Sequence, residues 1–118
     1  MRWNSIKQGQ QAEDAALAYL HKQGLRTVAR NYRCRGGEID LIMQDATELV
    51  FVEVRLRRNT QFASAMESVD RQKQRRLVTA ARHYLQHIGR YDAPCRFDVV
   101  GIDGQGTIDW QANAFDLT

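Results

Sequence analysis

The segment 49–56, Leu-Val-Phe-Val-Glu-Val-Arg-Leu, constrains the fold of this chain more than any other stretch. It is rich in β-branched and aromatic residues, which suit a pleated strand. Phe51, Val52 and Val54 make it apolar on both sides, as a strand is when it runs through the middle of a covered sheet. Charged residues are seldom buried there unless paired, so Glu53 is hard to dismiss as solvent decoration.

The rest of the chain supplies the elements around that strand. Residues 5–23 have helical periodicity, with Ala12, Ala16, Tyr19 and Leu20 on one stripe and Gly24 as the C′ residue. Residues 25–34 and 38–43 read as two further strands, and Asp45-Ala46-Thr47-Glu48 as a hairpin loop leading into 49–56. Ser64 and Glu67 have capping-box spacing and predict a second helix over 64–88, with Leu77, Ala81, Tyr84, Leu85 and Ile88 as its apolar stripe. Strands at 96–102 and 107–112 close the chain, joined by Asp103-Gly104-Gln105-Gly106. The order α-βββ-α-ββ predicts an α/β fold, a mixed central β-sheet flanked by helices. Its 118 residues fit one domain, 1–118, with a core that needs neither disulfide nor structural metal.

Cys34 and Cys95 lack any CxxC or Cys/His pattern, so free, idle thiols are expected rather than zinc. No stretch approaches the roughly 18 apolar residues of a membrane span. With no apolar leader either, the expected compartment is the cytoplasm.

Seventeen Lys+Arg against fourteen Asp+Glu give a net charge of +3, which permits a polyanionic partner. Their clustering is more informative. Arg30, Arg33 and Arg35 precede the hairpin, Arg55, Arg57 and Arg58 end the third strand, and Arg71, Lys73, Arg75 and Arg76 open the second helix. Such a rim binds phosphates, giving position and salt-dependent affinity without sequence readout. No base-reading motif accompanies it, so nucleic acid with a branch, flap or nick is the expected partner. Any one of these arginines also fits a solvated helix face. His83 and His87 are spaced i, i+4 but have no third ligand, and read as surface residues.

Closing the hairpin over residues 45–48 sets Asp40 opposite Glu53 and Glu38 opposite Arg55, all four on one face. Facing carboxylates repel each other across a ladder, and a cation between them would relieve this. Mg²⁺ favours hard oxygens and typically takes one or two carboxylates plus substrate phosphate. It would acidify water and neutralise charge on a phosphodiester under attack. A hairpin with one wet face shows the same alternation, so both readings stand on pattern; the apolar setting of Glu53 favours the metal.

The run Gly36-Gly37-Glu38-Ile39-Asp40-Leu41-Ile42, followed by Leu49-Val50-Phe51-Val52-Glu53-Val54-Arg55, closely resembles the YraN family of small bacterial proteins. That family is similar to archaeal Holliday junction resolvases and to the wider PD-(D/E)xK nucleases. The likeness covers nearly the whole chain. Gly9 and Glu13 match its Gly-x-x-x-Glu, and Asn31-Tyr32-Arg33 its Asn-aromatic-Arg run. Further matches are Lys73-Gln74-Arg75-Arg76, Arg96-Phe97-Asp98 and Asn113-Ala114-Phe115.

The resemblance implies a restriction-endonuclease-like fold and a Mg²⁺- or Mn²⁺-dependent endonuclease for branched DNA, and is compatible with a homodimer. Asp40 and Glu53 would be its metal ligands, and Glu13 the helix glutamate that contributes to the same centre. The departure is Arg55, which stands where the motif has lysine. A planar, permanently protonated guanidinium keeps phosphate affinity but substitutes poorly for lysine chemistry. A non-catalytic nucleic-acid binder is therefore the alternative, and an adaptor for a protein partner the third reading. Lys73 continues the inward stripe of the second helix and could supply the missing ammonium; otherwise it snorkels at the surface. The expected catalytic set is thus Asp40, Glu53, Arg55 and Lys73, with Arg33, Arg35, Arg57, Arg58, Arg71, Arg75 and Arg76 holding nucleic acid.

Overall fold

The structure, a computed structural model, describes residues 5–57 and 69–116. Its elements are α1 (Ser5–Lys22), β1 (Arg26–Cys34), β2 (Gly37–Asp45), β3 (Glu48–Arg57), α2 (Arg71–His87), β4 (Cys95–Asp103) and β5 (Ile108–Phe115). The five strands lie side by side in chain order. β3 and β4 are parallel, and the other neighbours are antiparallel. Parallel neighbours need a crossover, and α2 lies within it.

β3 is the middle strand, as its two apolar faces require. Leu49 and Phe51 enter one core with Leu77, Ala81 and Tyr84 of α2. Val50 and Val52 enter a second core with Ala12, Ala16 and Leu20 of α1. Alternation along the strand puts these cores, and hence the two helices, on opposite faces of the sheet. A mixed sheet between two helices in the order α-βββ-α-ββ is the restriction-endonuclease-like arrangement.

Two expectations need correction. α2 begins later than the Ser64 and Glu67 spacing predicts, and both of those residues lie outside the described ones. Its N-cap is Asp70, extended at φ −74° and ψ 176°, whose carboxylate accepts from the Lys73 amide at 2.8 Å. Aspartate caps as well as serine does, but the polar run Arg-Gln-Lys-Gln that follows it hides the start of the helix from any hydrophobic pattern. The β2–β3 loop is also shorter than expected, because Asp45 pairs with Glu48. Only Ala46 and Thr47 remain in the turn, and Ala46 has φ 46°, the positive value that tight hairpin turns use.

Cys34 and Cys95 are free. Burial pushes the Cys95 thiol up, keeping it protonated and unreactive. Among the described residues no helix is long and apolar enough to cross a membrane.

Candidate functional site

β2 and β3 keep the expected register from Asp45↔Glu48 to Leu41↔Val52, where the ladder stops. One residue on, the Asp40 carboxylate accepts from the Val54 amide at 2.8 Å, taking the role of a main-chain partner. β1 is irregular at the same level. Its pairing passes from Arg30↔Leu41 to Tyr32↔Ile39, and Asn31 between them has φ 53°. Ile39 and Leu41, two residues apart, enter different cores, so strict alternation breaks at Asp40. Asp40 is therefore not a simple one-face partner of Glu53. It sits at an opening in the sheet, where charges from both faces act with it.

Glu53 comes to this opening from the α2 side and is only 2% exposed. Its Oε2 lies 3.4 Å from Lys73 Nζ and 3.5 Å from Arg55 Nη1. Lys73 thus reaches the sheet from α2 and also lies 3.7 Å from Glu38 Oε1. Burial, and then the charge and hydrogen bonding of Asp40, push the Glu53 carboxyl up to about 8 against the pull of Lys73 and Arg55. From the opposite face α1 contributes Glu13. Burial and then Asp40 raise its carboxyl, while Arg30 and Asn31 pull it down. Arg30 Nη2 stands 3.7 Å from Glu13 Oε1 and makes a tighter 2.8 Å pair with Asp14. Arg30, expected in the phosphate-binding rim, pairs instead with the acids of α1, and Asn31, known from the sequence only as part of a family run, acts on Glu13.

Glu13 Oε1 and Glu53 Oε1 are both buried and have no hydrogen-bond partner. Buried polar atoms rarely go unpaired. Two orphaned carboxylate oxygens on either side of a third carboxylate make a hard donor set, which fits an oxygen-seeking divalent cation. Among the described residues no group of three or more acidic, histidine or cysteine side chains is placed to hold a metal ion. Mg²⁺ needs none, since it retains water and shares substrate phosphate.

The sign of the Glu53 shift gives a measurable consequence. Its ordinary value is 4.5 and its folded value about 8, so between these the folded chain holds a proton that the unfolded chain has released. The contribution of Glu53 to stability is then full below pH 4.5 and is lost as pH rises through about 8. In metal-free buffer the melting temperature should fall between pH 5 and pH 8.5, and Glu53→Gln should flatten that fall. An equal decline in the variant would remove Glu53 as its source.

The remaining expected residues spread around this centre. Arg55, Lys73 and Arg76 line its mouth with Asp70 and Gln72, a cavity of about 300 Å³. Arg33 lies 3.7 Å from Glu38, and Arg35 is exposed in the β1–β2 turn. Arg57 turns to the β5 side, where it pairs with Asp109 at 3.2 Å. Arg71 and Arg75 lie on the exposed side of α2, and Arg58 is outside the described residues. His83 is exposed and hydrogen-bonds Tyr32 through Nδ1.

Comparison with known proteins finds one family model, described as an uncharacterised protein family, UPF0102, matching residues 12–102. A UPF0102 protein of Pseudomonas entomophila (strain L48) is 53% identical over 113 residues, 92% of each chain. One of Cupriavidus metallidurans is 55% identical over 115 residues, 97% of this chain and 84% of the relative. One of Nitrosococcus oceani is 53% identical over 111 residues, 91% and 90% of the two chains.

Proposed function

The chain belongs to the uncharacterised protein family UPF0102, the YraN family of the sequence resemblance, and from that premise we propose that it is a divalent-metal-dependent endonuclease acting on branched or otherwise structured DNA. The carrying observation is the pair of buried oxygens that lack a hydrogen bond, Glu13 Oε1 and Glu53 Oε1, flanking Asp40 beneath a cationic mouth.

Asp40 and Glu53, with Glu13 behind them, would hold Mg²⁺ or Mn²⁺. When bound, the ion would neutralise a phosphodiester and acidify water beside it. Arg55 and Arg76 bind and orient the backbone at the mouth, the guanidinium matching two phosphate oxygens at once. Lys73 stands 3.4 Å from Glu53, a loose ion pair that leaves its ammonium able to turn toward a phosphate or a water. It thereby takes the place that Arg55 cannot fill, since a guanidinium gives up no proton. The Asp40 hydrogen bond to the Val54 amide fixes the angle of the first ligand.

A non-catalytic binder is the second reading, and the observation favouring it is Arg55 itself, 3.5 Å from Glu53 in the motif's lysine position. Branched, flapped and linear DNA incubated with and without Mn²⁺ separates the two. Metal-dependent cleavage is expected, reduced at least about 100-fold in Asp40→Asn/Glu53→Gln, since changes even beyond the ligands cost 10–100-fold. Mn²⁺ should also raise the melting temperature of the native chain and not of the variant. Salt-sensitive binding without cleavage would establish the binder. Neither binding nor cleavage at low salt would sink both.

A further inference from the structure

α2 opens with an arrangement that costs helix stability. Four cations, Arg71, Lys73, Arg75 and Arg76, stand among its first six residues, and its first turn has no acid. The positive end of a helix dipole disfavours cations, and like charges at i, i+4 repel. Within the described residues the Asp70 cap offsets them, and Glu53 and Glu38 stand 3.4 and 3.7 Å from Lys73. A local rule broken this way suggests a compensating ligand, here an anion.

The four cations do not form one patch. At about 100° per residue, Lys73 and Arg76 turn toward the sheet flank, and Arg71, Arg75 and Arg82 share the far flank about 100° or more away. The near flank opens on the mouth over Glu53. The far flank is a separate groove of about 540 Å³, floored by Val78 and lined by Arg71, Arg75 and Arg82, with Asp116 its one acid among the described lining residues. Arg71 and Arg82 are eleven residues apart, about 16 Å along the axis. That length matches about five nucleotides of one strand at 3.4 Å each. Between the two flanks lies one helix, about 10–12 Å across, close to the roughly 12 Å width of a DNA major groove.

We propose that the far groove holds a second phosphate backbone, so that the N-terminal half of α2 lies between two strands, one at Lys73 and Arg76 and the other at Arg71 and Arg75. The substrate then presents two backbones, as the strands of a duplex or the arms of a branch do. A lone single strand fills one flank only. This rests on the nucleic-acid reading above for the identity of the ligand, and adds which nucleic acid and where.

The test is fluorescence anisotropy in metal-free buffer over a salt series, using a labelled single strand, the duplex of that sequence, and a four-way junction. Arg71→Gln/Arg75→Gln removes two exposed side chains outside the acidic centre, and a thermal melt checks its folding. Duplex and junction affinity should fall about tenfold and the salt slope by about 2, with single-strand affinity within about twofold of native. Arg71→Lys/Arg75→Lys should restore the slope. If the glutamine variant binds duplex and junction with native affinity and slope, the second-backbone groove is wrong while the nuclease reading stands. If the native protein binds none of the three at low salt, the nucleic-acid reading fails and the groove with it. Equal losses for single strand and duplex would make the groove part of a single-strand track, which also overturns the proposal.

Discussion

Gly37→Ala is expected to destabilise the fold by about 3 kcal/mol or more, a large share of the ~5–15 kcal/mol that holds a domain together. A Cβ at Gly37 would lie 2.1 Å from the Arg76 carbonyl oxygen, 3.1 Å from its carbon and 3.2 Å from Ala80 Cβ. The obstacle is helix backbone, which cannot rotate aside as a side chain would. α2 must retreat from β2, carrying Lys73 away from Glu53. The neighbouring Gly36→Ala has a different cause and a smaller cost. Gly36 has φ 90°, strained for alanine, but its Cβ would meet Thr79 Cγ2 at an ordinary 3.5 Å. Roughly 1–2 kcal/mol is expected there. Urea denaturation of both variants should rank Gly37→Ala well below Gly36→Ala; equal losses would mean that conformation rather than space governs the pair.

Asp98→Ala should be comparably damaging, about 3–5 kcal/mol, for an electrostatic reason. Asp98 is 1% exposed yet fully satisfied. It accepts from Arg96 Nε at 3.0 Å and Nη2 at 3.2 Å, from Trp110 Nε1 at 2.9 Å and from the Asn113 amide at 2.9 Å. Arg96 also donates to Asp45 at 2.9 Å and Glu48 at 3.0 Å, tying the β2–β3 turn to β4. Burial works against the charge of Arg96, but Asp98, Asp45 and Glu48 outweigh it and hold the guanidinium protonated. Removing Asp98 leaves Arg96 with only Asp45 and Glu48, unpairs its Nε and Nη2, and strands the Trp110 and Asn113 N–H donors. Calorimetry should show the loss, and an unchanged melting temperature would mean that solvent replaces the carboxylate. Asp98→Asn should fall between, since it restores shape without the charge.

Much of this was legible in order and pattern. The central position of β3 followed from its two apolar faces, and the β2–β3 register from closing the hairpin over residues 45–48. The same reading placed Lys73 on the inward stripe of α2, and the structure brings its Nζ within 3.4 Å of Glu53. The start of α2 was not legible, because its first six residues are polar and periodicity has nothing to register there. Arg57 was grouped with Arg55 by proximity in sequence, but its side chain turns to Asp109 on β5.

By itself the sequence determined which strands exist, how β2 meets β3, and that Asp40 and Glu53 come close, because strand periodicity and hairpin closure are local. Only the tertiary structure decided that the ladder opens at Asp40, that Glu13 approaches from the α1 face and Lys73 from the α2 face, and that Gly37 must be bare to admit α2. Those facts depend on how two helices settle on opposite faces of one sheet. Close packing sets that relation across long stretches of chain, and no local spacing encodes it.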